Sequence, residues 1–125
     1  MLLDSHIVWW LLYEPKKLGK SLVRKLERNS VAFFSSASVY ELVTRGLSGK
    51  LDLPDDFVSQ LSAAGLSEIT FTSEHAAQSR FVSRQTSDPF DRLLLAQAEF
   101  EQIDFYTQDA KILSLGLDFV KDAGL

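Results

Sequence analysis

Residues 87–100 read SDPFDRLLLAQAEF, and this stretch predicts the helix around which the rest of the chain packs. Asp88 is a typical helix-capping residue, and Pro89 suits the first helical position, where a backbone N–H would lack a partner. The apolar residues between Leu93 and Ala98 cover nearly every side of this helix. A helix that is apolar on most sides is normally enclosed by other elements. The stretch therefore predicts a central helix that begins at about Asp88.

On both sides of this helix, short apolar runs alternate with segments of helical periodicity. Runs typical of strands are Met1–Leu3, Val31–Phe34, Ile69–Phe71, Ile103–Tyr106 and Phe119–Val120. Helical patterns lie at 7–12, 22–26, 38–45, 73–81 and just before Gly116, a further helix is expected to start at Pro54, and Asn29-Ser30 is a predicted turn. Strands that alternate with helices indicate a parallel sheet covered on both faces. We therefore predict an α/β fold, a three-layer α/β/α sandwich around a mostly parallel central sheet.

The length and composition fit one domain that spans residues 1–125. Hydrophobic residues make up 46% of the chain, which is enough to fill one core. The sequence has no cysteine, which excludes disulfides and thiolate metal sites and favours a cytoplasmic location. The apolar opening from Met1 to Tyr13 contains Asp4 and His6 and is too short to span a membrane. We therefore predict that this opening belongs to the core and that the protein has no membrane partner.

Acidic residues stand close to the ends of the predicted strands. Asp4 follows the first strand, and Asp109 closely follows the strand Ile103–Tyr106. Glu41 and Asp91 each lie in the first turn of a predicted helix. In open parallel sheets, ligands bind outside the carboxyl ends of the strands. We therefore expect these four carboxylates to lie at one edge of the sheet.

Each of these acids also has an ordinary structural explanation. Ser38 and Glu41 match the capping-box pattern, and Asp91 stands in a similar relation to an acid three residues earlier. Asp4 is suited to capping a helix, and Asp109 is suited to a turn. The structural explanation stays open for each residue taken alone. It is weaker for all four together, because unrelated caps need not fall at the same edge.

Carboxylates that converge repel one another and stay ionised at neutral pH only beside a compensating cation. An oxygen-only ligand set favours Mg²⁺ or Mn²⁺ over Zn²⁺. The chemistry that suits such a site is attack of metal-activated water on a phosphodiester. We therefore predict a metal-dependent hydrolase whose metal and catalytic residues are Asp4, Glu41, Asp91 and Asp109.

The net charge of −4 is unusual for a protein that binds a polyanion, because nucleic-acid binders usually carry a basic surface. The four acids of the predicted site account for this charge, since the remaining 13 acids balance 13 bases. Many of the bases fall in one stretch, at Lys16, Lys17, Lys20, Arg24, Lys25 and Arg28. This stretch is either a solvated helix face or a surface that contacts phosphates, and the sequence leaves both interpretations open.

Five blocks of sequence occur in a characteristic order and spacing. They are LLDSH at 2–6 followed by Trp9-Trp10, SSASVYEL at 35–42, GKLDLP at 49–54, DPFDRLL at 88–94 with AQA at 96–98, and TQD at 107–109. Together they resemble the PIN domain family, specifically the VapC toxins of bacterial type II toxin–antitoxin systems. The block at 88–94 is the most specific, and the resemblance covers nearly the whole chain.

The resemblance implies an endoribonuclease that requires Mg²⁺ or Mn²⁺, is held inactive by a cognate antitoxin and is usually a homodimer. It places the same four acids at the metal site. Asp4 and Asp91 are the best candidates for direct contact with the ion, whereas Glu41 and Asp109 are expected to act through water. Asp88 is expected to cap the central helix.

A PIN-like module that binds RNA or a protein without cutting is the alternative, and the intact acids disfavour it. A phosphoacceptor receiver domain would need an acidic pair after its first strand, where only Asp4 stands. A haloacid-dehalogenase-type phosphatase would need a second aspartate at the position of His6.

One segment, residues 81–87, departs from the family, in which a Leu-Pro pair and a histidine often precede the central block. The resemblance therefore does not predict what this segment contributes to substrate choice or antitoxin docking.

Several other side chains have two interpretations each. The histidines and clustered aromatic residues are expected to be structural, although they could transfer protons or stack on bases: His6, His75, Trp9, Trp10 and Tyr13. Three hydroxyl groups are expected either to bond the site carboxylates or to serve in caps and turns: Ser5, Ser36 and Thr107. Arg92 is expected to reach a phosphate or a neighbouring acid.

Overall fold

The computed structural model describes residues 1–28 and 30–125, in which strands and helices alternate. The strands are β1 (Leu2–Leu3), β2 (Phe33–Ser35), β3 (Ser67–Ile69), β4 (Phe105–Thr107) and β5 (Val120–Asp122). The helices are α1 (Ser5–Tyr13), α2 (Lys20–Glu27), α3 (Ser36–Leu47), α4 (Phe57–Ala63), α5 (Ser73–Gln78), α6 (Pro89–Glu101) and α7 (Ala110–Leu113). Two short 3₁₀ turns lie at Pro15–Lys17 and Ser79–Phe81.

The five strands form one sheet in the order β3-β2-β1-β4-β5. Every strand pair in the described chain is parallel. The shortest strand, β1, lies at the centre, where Leu2 pairs with Phe33 of β2 and with Phe105 of β4. The predicted α/β sandwich around a parallel sheet is confirmed. The third strand, predicted at Ile69–Phe71, instead spans Ser67–Ile69 and lies at one edge of the sheet.

The two residues of β1 face two separate cores. Leu3 packs with Phe34 on the face covered by α1 and α4. Leu2 packs with Phe105 on the face covered by α6. Because both faces of the sheet are covered, the three inner strands β1, β2 and β4 consist mainly of consecutive apolar residues and do not alternate with polar ones. Truncating either leucine to alanine would cost about 2–5 kcal/mol through the cavity left behind.

The apolar opening of the chain belongs to the core, as predicted. Ile7 and Val8 of α1 are fully buried beside the sheet. No helix in the described part of the chain is both long and apolar enough to cross a membrane.

The central helix α6 begins as predicted. Asp88 Oδ1 accepts a hydrogen bond from the N–H of Asp91 at 3.0 Å, and Pro89 is the first helical residue. All residues from 94 to 98 are buried. The helix ends at Glu101 and is capped by Gln102, which adopts a left-handed conformation with φ of 56°. These contacts fix Asp91 in the first turn of a helix that is enclosed by the fold.

The predicted start of α3 is wrong by two residues. Ser35 caps this helix, because its hydroxyl accepts the N–H of Ala37 at 3.1 Å. Ser38 therefore lies inside the helix, and its hydroxyl has no partner among the described residues. The capping box expected between Ser38 and Glu41 does not form.

Other predicted boundaries also shift. A helix does not start at Pro54, because the Pro54 carbonyl closes a turn with the N–H of Phe57 at 3.2 Å and α4 begins there. Val31 precedes β2 and is 60% exposed, because it lies at the amino edge of the sheet. Of the turn predicted at Asn29-Ser30, Asn29 lies outside the described residues.

Candidate active site

The four predicted site acids lie at the carboxyl edge of the sheet. Asp4 directly follows β1, and Asp109 follows β4 by two residues. Glu41 lies on α3, which begins directly after β2, and Asp91 lies in the first turn of α6. The fold therefore brings to one place acids that are far apart in the sequence.

Asp4 is 6% exposed, and its carboxylate is held by two hydrogen bonds. Oδ1 accepts the N–H of Ser5 at 2.7 Å, and Oδ2 accepts the hydroxyl of Thr107 at 2.6 Å. Burial raises the pKa of Asp4, the bond from Thr107 opposes this shift, and the charge of Glu41 adds to it. Each carboxylate oxygen can accept more than one bond. Asp4 can therefore bind a cation while it keeps both of these partners.

Glu41 is buried and is also held through both oxygens. Oε1 accepts the hydroxyl of Ser5 at 2.6 Å, and Oε2 accepts Nη2 of Arg45 at 3.1 Å. Arg45 lies one turn further along α3, at the spacing that favours such ion pairs. Ser5 thus contacts two acids, Asp4 through its N–H and Glu41 through its hydroxyl. The position of Glu41 comes from these contacts and not from helix capping.

Asp91 is half-buried and differs from the other acids in its surroundings. Its carboxylate accepts no hydrogen bond from the described residues. Its pKa is raised to about 7, first by burial and then by the charges of Asp4, Asp88, Asp109 and Glu41. A nearby dication would favour the ionised form of this carboxylate.

Asp109 both caps a helix and faces the acid cluster. Its Oδ1 accepts the N–H groups of Lys111 and Ile112 at 2.8 and 3.3 Å, which makes it the N-cap of α7. Its own N–H donates to the hydroxyl oxygen of Thr107 at 3.0 Å. Since Thr107 also donates to Asp4, one hydroxyl links two of the acids.

The donor set fits a hard dication, although the side chains are not preassembled around one. Across residues 1–28 and 30–125, no three acidic or histidine side chains already converge as a bound ion requires. The candidate ligands are all carboxylate oxygens, which suit Mg²⁺ or Mn²⁺. The raised pKa values of Asp4 and Asp91 reflect, besides burial, excess negative charge that a dication would compensate. To bind a dication, these side chains would therefore have to move, but the residue types already present are suitable.

Two open clefts flank the acids and share Asp109. The first has a volume of about 440 Å³, lies between residues 85–88 and residues 109–112, and is also lined by Asp91. The second has a volume of about 280 Å³ and is lined by Asp4, His6, Trp10, Gln108 and Asp109. An extended ligand that crossed the acids would occupy both clefts.

The three hydroxyl groups considered in the sequence analysis have different hydrogen-bond partners. Ser5 and Thr107 bond the site carboxylates, as anticipated. Ser36 does not, because its hydroxyl accepts the N–H of Phe71 at 2.9 Å and ties α3 to the segment after β3. Arg45 was missed by sequence reasoning. Its signal was its position four residues after Glu41.

Arg92 reaches neither an acid nor the open clefts. Its guanidinium donates to the backbone carbonyls of Ser79, Ser83 and Thr86. The expectation that it contacts a neighbouring acid is therefore wrong. Asp88 caps α6, as expected, and also contributes negative charge at Asp91.

The histidines lie in contrasting environments. His75 is buried, its Nε2 lies 2.7 Å from Glu101 Oε1, and its Nδ1 accepts the N–H of Thr72 at 2.9 Å. These contacts give it the structural role predicted for it. His6 is exposed, lines the second cleft and lies 3.5 Å from Nη1 of Arg45.

The aromatic cluster on α1 is largely structural. Trp9 and Trp10 pack against the core, and the Trp9 and Tyr13 rings contact each other at a tilt of 50° with centroids 4.4 Å apart. Trp10 also lines the second cleft, and Lys17 Nζ lies 5.5 Å from its ring centroid.

The basic stretch is exposed throughout, at Lys16, Lys17, Lys20, Arg24, Lys25 and Arg28. Lys17 pairs with Glu14 at 3.0 Å. Exposure is compatible with both a solvated face and a phosphate-contacting surface.

Comparison with known proteins identifies related folds. The model of the PIN domain family matches residues 1–116 of this chain. The chain is similar to VapBC2 from Rickettsia felis bound to a DNA fragment from their promoter, with a TM-score of 0.72 and 17% identity over 97% of this chain and 96% of that one. It is also similar to a toxin–antitoxin complex from Klebsiella pneumoniae, with a TM-score of 0.65 and 15% identity over 98% and 96% of the two chains. At such identities these likenesses show a shared fold. No curated protein matches the chain in sequence.

Proposed function

Because this chain belongs to the PIN domain family, we propose that it is an endoribonuclease that hydrolyses RNA phosphodiester bonds with Mg²⁺ or Mn²⁺. The observation that carries the proposal is the convergence of carboxylates, which together with burial raises the pKa of Asp91 to about 7. Gathering like charges destabilises a fold, so a structural purpose does not account for it. Groups with strongly perturbed pKa values cluster at functional sites.

Each acid has a proposed role at the metal. Asp4 and Asp91 would hold the ion directly, and Glu41 and Asp109 would act through water. When bound, such an ion supplies a water nucleophile of lowered pKa and offsets charge on the phosphate oxygens. Arg45 offsets the charge of Glu41, so that this buried acid stays in place before the metal arrives.

The clefts give a path for a single strand of RNA. A strand that lies across the acids would place one phosphate over Asp91 and Asp109 and its neighbours in the two clefts. Lys111 lines the first cleft, and His6 with Arg45 borders the second. These groups can contact phosphates without adding negative charge.

Cleavage of a single-stranded RNA by the purified protein tests the proposal. Cutting is expected with Mg²⁺ or Mn²⁺, and Asp4→Asn or Asp91→Asn should abolish it while circular dichroism shows an intact fold. Asp118→Asn, an exposed acid outside the cluster, is the control and should retain activity. Equal cleavage in excess EDTA would contradict the proposal.

We further propose that the protein is the toxin of a type II toxin–antitoxin pair and that its partner is a cognate antitoxin. The two solved structures compared above, from Rickettsia felis and Klebsiella pneumoniae, are toxin–antitoxin assemblies. Growth arrest on expression, suppressed by the product of an adjacent short reading frame, is the expected result. Harmless expression with no such neighbour would leave a nuclease that is not a toxin.

A groove between α3 and α4 fits such a partner. It is lined by Val43, Leu47 and Val58, which are exposed, and bordered by Asp52 and Asp55. Leu47 is the most exposed of the three, at 85%. An apolar helix flanked by basic residues would complement both the apolar floor and the acidic border.

The proposal also includes a homodimer, a single nuclease domain over residues 1–125 and a cytoplasmic location. Light scattering of the protein without antitoxin gives its mass in solution and so tests the dimer. A mass equal to one chain at micromolar concentration would contradict the dimer without bearing on catalysis.

A non-cleaving PIN-like module that binds RNA or a protein is the second candidate. It is favoured by one observation, the lack of three preassembled ligands among the described residues. RNA binding with the same affinity in Mn²⁺ and in EDTA, with no cleavage in either, would support this candidate over the nuclease.

A further inference from the structure

The guanidinium of Arg92 holds three points of one backbone segment. Nη2 donates to the Ser79 carbonyl at 2.7 Å, and Nη1 donates to the Ser83 and Thr86 carbonyls at 2.9 and 3.0 Å. All three carbonyls belong to the connection between α5 and α6. An arginine has five donors in a rigid planar fork and no acceptor, so it can satisfy several carbonyls at once.

The remaining hydrogen bonds of this connection are local. The N–H of Thr86 donates to the Ser83 carbonyl at 3.1 Å, and the N–H of Gln85 donates to the Ser83 hydroxyl at 3.2 Å. Val82 is buried against the α6 side of the sheet. The bonds from Arg92 therefore tie both ends of the segment to α6, which the local bonds cannot do.

The held segment forms a wall of the candidate active site. Gln85, Thr86, Ser87 and Asp88 line the first cleft opposite residues 109–112. Arg92 directly follows Asp91, so a single turn of α6 carries one site acid and the group that fixes the wall. The position of the wall and the position of the acid are thereby coupled.

We propose that Arg92 is a positioning residue, which fixes residues 82–87 as the wall of the cleft that receives RNA beside the acids. The role in RNA binding rests on the proposed nuclease function. Arg92 acts on the substrate through this backbone and does not contact the metal. Because it bonds only carbonyl oxygens, the side chains at 83–87 can vary without loss of the hold.

Amide hydrogen exchange of the metal-free protein tests the hold itself. Arg92→Gln is expected to speed exchange at residues 82–88 by about tenfold or more, because charge-assisted bonds to the segment are lost. Arg80→Gln removes an exposed positive charge from the same connection and should leave exchange there unchanged. Unchanged exchange in Arg92→Gln would overturn the proposal.

Kinetics on single-stranded RNA with Mn²⁺ test the consequence for substrate. Arg92→Gln should raise KM by about tenfold, because binding would have to order the wall, while kcat changes little. Affinity for Mn²⁺ alone, measured by calorimetry, should match the wild type. Faster exchange without a change in KM would overturn the role in RNA binding.

Two further outcomes can be distinguished from each other: a variant that does not fold, and a wild type that cuts no RNA. Should Arg92→Gln fail to fold, Arg92→Lys takes its place, because a single ammonium keeps the charge but cannot span the carbonyls at both ends of the segment. If the wild type itself cuts no RNA, the proposed function fails, and with it the role of the wall in substrate binding. The exchange experiment still decides whether Arg92 holds the segment.

Discussion

The hydroxyl of Thr107 donates a 2.6 Å hydrogen bond to Asp4 Oδ2, and both side chains are buried. Thr107 ends β4 and Asp4 follows the adjacent parallel strand β1, so the bond joins the ends of two neighbouring strands. The same hydroxyl oxygen accepts the N–H of Asp109. One side chain therefore orients two acids of the candidate site.

Thr107→Val should weaken both the fold and metal binding. Loss of the bond should cost about 1–2 kcal/mol of unfolding free energy. The pKa of Asp4, which burial raises and this bond lowers, should rise further, so Mn²⁺ affinity at pH 7 should fall because a protonated acid binds the ion poorly. Urea unfolding and calorimetry measure the two effects, and Thr107→Ser, which keeps the hydroxyl, is the control. Wild-type Mn²⁺ affinity in Thr107→Val would count against this role.

Asp91→Asn should stabilise the metal-free protein at alkaline pH. The folded state raises the pKa of Asp91 from 3.8 to about 7, so it holds the proton more tightly than the unfolded chain does. Stability from this group therefore falls as pH rises from 3.8 to about 7, and the penalty is complete above that window. Asp91→Asn should exceed the wild type in Tm at pH 8, and the difference should shrink toward pH 5.

Metal should reverse this order. Saturating Mn²⁺ at pH 8 should raise the Tm of the wild type and leave that of Asp91→Asn nearly unchanged, because a ligand stabilises only a fold that binds it. Asp118→Asn serves as the control in both experiments. A Tm difference between Asp91→Asn and wild type that does not vary with pH would contradict the assigned electrostatics.

Arg45 and Glu41 should be energetically coupled. Arg45→Met is expected to lose about 1–2 kcal/mol of unfolding free energy, because the buried Glu41 carboxylate loses a charged donor. In a double-mutant cycle with Glu41→Gln, the coupling energy should be at least about 0.5 kcal/mol. Additive effects in urea unfolding would show that the two side chains act independently.

The histidines should differ sharply in their effect on stability. His75→Ala should cost about 2–3 kcal/mol, because it removes a buried ring, leaves a cavity in its place and breaks the hydrogen bonds to Thr72 and Glu101. His6→Ala, at an exposed position, should change stability by less than about 0.5 kcal/mol. Thermal unfolding of the two variants compares them directly. Equal losses would mean that the structural role assigned to His75 is wrong.

Leu47→Glu should prevent capture of the antitoxin and leave RNA cleavage intact. The new carboxylate would be unpaired on an apolar groove that already has an acidic border. Co-purification from cells that express both proteins measures binding. Lys50→Glu, an exposed change nearby on the chain, is the control for charge alone. Undiminished capture by Leu47→Glu would move the docking surface elsewhere.

The sheet and the acid cluster were predictable because both depend on chain order. Apolar runs that alternate with helical periodicity indicate a parallel sheet, and a parallel sheet gathers the residues at the carboxyl ends of its strands along one edge. The positions of Asp4 and Asp109 after β1 and β4 were sufficient to predict that both lie at this edge. Asp91 was fixed by the local signal of Asp88 and Pro89.

The contacts that hold the site were harder to predict, because they depend on distances across the fold. The capping-box pattern at Ser38 and Glu41 was overridden by Ser35, since the helix starts as soon as β2 ends. Arg92 reaches backbone carbonyls, and no sequence pattern identifies carbonyls that lack partners. Ser36 bonds a segment that comes beside it only through the pairing of β2 with β3.

Two of the acids that gather at the sheet edge also begin helices, Asp4 at α1 and Asp109 at α7. Alanine at either position would remove a helix cap worth about 0.5–2 kcal/mol together with the charge, so lost activity could not be separated from lost structure. Asparagine caps helices as well as aspartate does. A related domain could therefore lose catalysis through asparagine at both positions and still keep its fold. These two positions are the ones to inspect when a related domain is suspected of being inactive.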